Sequence, residues 1–304
     1  MSQYIKRIRT DAGDLQIDYN ELANKPIISN PNLLINSDFR NPINQRNATS
    51  YAYRSDNTSK VYGIDRWWLN GVNTMMTVQK QYLAVYLPSG CDFGQALELS
   101  YISYDNMTVS VKFYNDPVVK SATINGLSSQ TESTERFVNL TNDVKVGFYV
   151  FDHGMYMFLR PIGSEVTLNI EWIKLESGSI ATPFSPRNRS EEIILCQRFY
   201  RVQTINHDDI ICPLYKRQNN SYCGLMSFES MRRIPTVTHT GNFYIEQHNS
   251  NGVFATMEDK ITSIDIIPQW TELKFHIELN TVDAVNHLGT SSNEMIFRFD
   301  AEIG

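Results

Sequence analysis

The chain has 304 residues, 41% hydrophobic and 20% charged: enough apolar mass for more than one core and too little charge for a disordered chain. Its 27 basic and 33 acidic residues leave a formal net charge of −6, which argues against a broad face that neutralises nucleic-acid phosphates. Aromatic residues reach 12%, with 16 Tyr and 15 Phe, a bias toward strands. Membrane insertion is not expected, because no apolar run approaches the roughly 18 residues a spanning helix needs. The stretch from Met1 to Thr10 carries charge with no apolar run behind it, so no signal peptide is expected. Cys91, Cys196, Cys212 and Cys223 show no Cys-x-x-Cys spacing and read as free thiols, without a zinc site or any other cofactor.

In chain order, residues 1–30 form an arm. Asp11 to Asp14 is turn chemistry, and Pro26 and Pro31 favour an extended passage, so this stretch buries little by itself and is expected to pack on a partner. From about residue 31 the hydrophobic period becomes two. Met107, Val109, Val111 and Phe113 alternate with polar residues, and so do Val166, Leu168, Ile170 and Trp172. Further strands are expected over 60–69, 73–79, 81–87, 95–102, 145–151 and 155–160, separated by Pro, Gly and Asn turns. Short strands at this spacing predict an antiparallel jelly-roll-like β-sandwich over 31–187. Pro183 and Pro186 end that pattern. Ser190 offers an N-cap, with Glu191 and Glu192 in a first turn that favours anions, for one short helix running to about Val202. Strand signals then resume from Tyr222 to Phe299 and predict a second β-sandwich within 188–304. The expected fold class is all-β: arm, sandwich, short helix, sandwich.

Asn32 to Phe39, paired with Ile170 to Gly178, resembles the opening and closing strands of carbohydrate-binding-module jelly rolls. Gly63-Ile-Asp-Arg-Trp67, Leu175 to Phe184 and Cys196-Gln-Arg-Phe-Tyr200 together resemble tail-fibre and receptor-binding proteins of tailed bacteriophages. The run from Asp18 to Pro26 is similar to an N-terminal segment of such virion fibres. The resemblance covers roughly the first 200 residues. It implies a virion protein made in the host cytoplasm. It also implies a homotrimer attached to another phage structural protein through residues 1–30, with Asp18, Tyr19, Asn20, Leu22, Lys25 and Pro26 as attachment candidates. A host cell-surface glycan is the expected outward partner. A capsid or tail decoration protein without receptor role and a glycan depolymerase are the competing readings.

Among individual residues, adjacent Trp67 and Trp68 must face opposite sides of a strand. With Tyr62 and Arg66 they are glycan-binding candidates, since an aromatic face stacks on a sugar at little entropic cost. Packing is the competing account of both tryptophans. Asn36, Asp38 and Glu171 are weak calcium candidates, set against turn and cap hydrogen bonds. His207-Asp208-Asp209 reads as a solvated loop. No Gly-x-Ser-x-Gly elbow or phosphate loop occurs, so no enzyme is expected. In the second domain, loops bearing His248, Asn249, Asn251 or His287 are candidates for a receptor-facing surface.

Overall fold

A computed structural model describes residues 8–10, 13–15, 29–57, 59–98, 104–127, 134–151, 154–206, 209–248, 254–257, 261–280, 285–290 and 294–302. The protein is all-β, with a single α-helix among those residues. In the arm, Ile8–Thr10 pairs antiparallel with Gly13–Leu15. All six attachment candidates from Asp18 to Pro26 lie outside the described residues.

The first half is a sandwich of two six-stranded antiparallel sheets. The back sheet runs Lys120–Ile124, Met107–Phe113, Val166–Ser177, Leu83–Leu87, Met75–Val78, Ser50–Ala52. The front sheet runs Glu135–Asn139, Val144–Phe151, Gly154–Pro161, Asp92–Glu98, Trp67–Asn70, Val61–Tyr62. The alternating residues of both sheets converge on one core, with Val109, Val111, Leu168 and Ile170 from the back and Val146, Phe148, Met157 and Leu159 from the front. Asn32 to Phe39 does follow the closing strand, through Leu33 N–H to Leu175 O (2.8 Å), Ile173 N–H to Ser37 O (3.0 Å) and Phe39 N–H to Glu171 O (2.8 Å). It is not a regular strand, because Asn36 takes a left-handed φ of 56° and breaks the pleat.

Lys174, 1% exposed, ties the exit of that sandwich down. Its ammonium lies 3.2 Å from the equally buried Glu176 and donates to the Pro183 carbonyl (3.0 Å), while Glu176 accepts from the Thr182 N–H (2.8 Å). Phe184 stacks on Trp172 at 4.5 Å. The helix Arg189–Gln197 is then capped two residues earlier than expected: Asn188, not Ser190, is the N-cap, accepting from the Ser190 N–H. It also stops short of Val202. Tyr200 to Asn206 pairs residue for residue with Glu294–Asp300, and that ladder outcompetes further helical turns in a segment too short to hold a helix alone.

The second half holds a three-stranded sheet (Tyr200–Asn206, Glu294–Asp300, Thr236–Thr240) and a seven-stranded one (Phe254–Met257, Phe243–His248, Val285–Thr290, Ile210–Gln218, Ser221–Ser227, Glu272–Leu279, Ile261–Pro268). Phe297 and Phe299 of the first and Phe275 and Ile277 of the second fill a separate core. His287 sits within a strand, not on a loop, and Asn249 and Asn251 lie outside the described residues. So do His207 and Asp208. Asp209 accepts from the Asn206 N–H at 3.2 Å, a turn contact.

Candidate functional site

The strings from Gly63 to Trp67 and from Cys196 to Tyr200 meet at the joint between the two halves. Gly63 to Arg66 forms the turn between Val61–Tyr62 and Trp67–Asn70, closed by Gly63 N–H to Trp67 O at 3.0 Å, with Arg66 at φ 75°. That backbone twist drives the Arg66 guanidinium into the joint, where the side chain is 1% exposed. There it pairs with Glu302 near the end of the chain, donates to the Ala96 carbonyl and lies 3.5 Å over the Phe199 ring. Buried ion pairs hold only where such partners offset desolvation. Glu302 also accepts from the Arg66 N–H (3.1 Å), and Arg233 donates to its carbonyl. Alongside, Asp65 accepts from Gln45 Nε2 (2.8 Å) and faces Arg46 at 3.4 Å, yet burial dominates and pushes its pKa up to about 7. Arg46 lies 3.7 Å over the Tyr200 ring.

Three of the four sequence-derived glycan candidates, Arg66, Trp67 and Trp68, are no more than 2% exposed, and Tyr62 alone is half-buried. Arg66 is committed to the joint. Trp67, 0% exposed, fills the sandwich core: its ring stacks on Phe93 at 4.8 Å, meets Phe39 edge-on at 5.0 Å and donates its N–H to Asn36 O at 2.7 Å. Tyr62 is half-buried beside Arg46, lining a groove between the halves. Burial raises its phenol pKa. Trp68 turns to the opposite face, as the strand alternation requires, but is itself only 2% exposed there.

That outer face of the front sheet is where chemistry collects. Trp68 lines an open depression of about 260 Å³ with Lys60, Asn70, Asp92, Glu135, Tyr149, Tyr156 and Phe158. The strand register explains the grouping. Tyr149 is directly opposite Tyr156 and Gly94 opposite both Trp68 and Phe158, so side chains from four strands share one surface. Gly94 and Gly147 leave room for these rings: a Cβ on Gly94 would lie 2.8 Å from Trp68 and one on Gly147 2.3 Å from Phe158. Trp68 meets Tyr156 edge-on at 5.8 Å. Phe199 of the second half packs against the Ala96 edge of this face, together with Phe151 and Tyr156, and leaves the Tyr149 side open.

The polar groups of the depression fall into two kinds. Asp92 and Glu135 are both held by Arg160, through Nε to Asp92 Oδ1 (2.6 Å), Nη2 to Asp92 Oδ2 (2.9 Å) and Nη1 to Glu135 Oε2 (2.7 Å). Burial still raises the Asp92 pKa against those bonds. Lys60 has no carboxylate within ion-pair distance among the described residues. Its ammonium sits 4.1 Å from the Tyr156 ring centre and 5.5 Å from that of Trp68, and burial lowers its pKa. The Trp68 indole N–H is buried without a hydrogen-bond partner among the described residues. Aromatic faces with a few directed donors form the usual chemistry of a sugar site.

The calcium candidates do not assemble. Asn36 spends its side chain on Ile43 N–H and O and on Asp65 O, at 2.7–2.8 Å. Asp38 is gripped bidentately by Arg40 at 2.7 Å, and Glu171 acts on the same arginine through space. Among the described residues no group of three or more His, Cys, Asp or Glu is arranged to hold a metal ion. Lys60, Asp92, Glu135, Tyr149 and Tyr156 escaped sequence reasoning because they come from separate strands. Comparison with family models, curated proteins and solved structures finds no match.

Proposed function

We propose that this chain is a non-enzymatic, fibre-type protein of a bacteriophage particle that binds host-surface glycans through the front-sheet depression. The observation that carries glycan binding is the pair of half-buried rings Tyr149 and Tyr156 on the outer face, beside the buried Trp68 and Phe158, with a lone ammonium among the rings. The non-enzymatic part is supported by Asp92 and Glu135: Arg160 occupies the oxygens of both, so neither turns a free carboxyl toward a glycosidic bond. Placement on a virion and a trimeric state rest on the sequence resemblance in 18–26, 63–67, 175–184 and 196–200. Three weak sites on one particle would reinforce each other by raising effective concentration.

Titration of the full-length protein with soluble envelope polysaccharides tests the binding. Saturable binding that Tyr149→Ala abolishes is expected; no binding to any polymer, or undiminished binding by the variant, contradicts it. Deletion of residues 1–30 is expected to abolish incorporation into particles, and a truncated protein that still incorporates defeats the anchor. Light scattering is expected to give three times the chain mass; a monomer mass defeats the trimer.

A further inference from the structure

Resting on that glycan reading, we infer that the depression selects an acidic sugar, a uronate whose carboxylate is received by the Lys60 ammonium. Three observations converge on it. First, the Lys60 ammonium lies on one wall of the depression, over the Trp68 and Tyr156 rings. It has no oxygen acceptor among the described residues. A cation held over ring faces gains a partial partner there, but its N–H groups still lack oxygen acceptors, and a carboxylate is the acceptor that binds most strongly.

Second, the acids of the depression do not compete for Lys60. Asp92 acts on it through space, but its two oxygens are taken by Arg160 at 2.6 and 2.9 Å, and Glu135 is bound by the same guanidinium. The arginine is thereby saturated and Lys60 is the cation left over. Third, the whole chain carries a formal charge of −6, so diffuse attraction does not draw it to polyanions. Preference for an acidic polymer would have to arise locally. The half-open side at Tyr149 gives the sugar ring a surface to lie on while its carboxylate reaches inward.

Titration calorimetry of the full-length protein with short oligogalacturonates, and with the same oligomers after their carboxyl groups are reduced to alcohols, reads this directly. The acidic form is expected to bind roughly tenfold tighter or more, the scale of one charge-assisted contact. Lys60→Gln is expected to erase that difference while still binding the neutral oligomer, and Lys60→Arg to keep it. Equal affinity for the two forms, or a full preference surviving in Lys60→Gln, overturns the inference and leaves the glycan reading standing. Binding of neither form, with no binding to the wider polysaccharide panel, overturns both.

Discussion

The joint between the halves and the depression on the front sheet use the same materials, arginine–carboxylate pairs set among aromatic rings, and use them to opposite ends. At the joint, Arg66 is committed to Glu302, the Ala96 carbonyl and the Phe199 ring, and Asp65 is fully enclosed. In the depression, Arg160 absorbs both acids and leaves the half-buried Lys60 without a carboxylate partner among the described residues, near the partly open Tyr149. The contrast teaches that an arginine beside aromatic residues in sequence says nothing about exposure. What decides is how far a second element covers the face: Phe199 and Glu302 close the joint, whereas Phe199 reaches only the Ala96 edge of the front-sheet face.

The largest expected effect breaks the joint. Glu302→Ala leaves the Arg66 charge buried and unpaired, and thermal unfolding should show a loss of about 3–5 kcal/mol. Next comes Asp65. Its folded pKa of about 7 lies above the ordinary 3.8, so the folded state holds this proton more tightly than the unfolded chain. The stability it contributes is complete below the unfolded value and is lost as pH rises through the folded one, by at most about 4 kcal/mol. In Asp65→Asn that loss disappears, so the stability of the variant relative to the parent should climb as pH rises from the ordinary 3.8 to about 7, and level off above it, in denaturant titrations. Asn188→Ala, which removes the helix cap, should cost about 1 kcal/mol. Tyr149→Ala sharpens the comparison from the other side: at a half-exposed position outside the cores, it should change stability by about 0.5 kcal/mol or less while abolishing glycan binding.

The period-two pattern made much of the first sandwich legible. Met107–Phe113 is a strand over its whole expected length, and the expected split of Trp67 and Trp68 to opposite faces is what the register produces. The helix limits were less legible, since a long-range ladder from Tyr200 to Asp300 ends the helix and no local signal announces it. The Arg66–Glu302 pair spans 236 residues of sequence, beyond any pattern of spacing. The depression left one faint sign. In Gly154–Pro161 the core residues Met155, Met157 and Leu159 alternate with Tyr156 and Phe158, giving a strand apolar on both faces, which one sandwich core does not require.

Hydroxyl-radical footprinting of the full-length protein, with and without a bound envelope polysaccharide, tests the central claim most directly. The account predicts protection at Tyr149, with lesser protection at Tyr156, and an unchanged signal at Tyr62 in the groove beside the joint. Protection confined to Tyr62, or to residues of the second half, with Tyr149 as reactive as in the free protein, would contradict it.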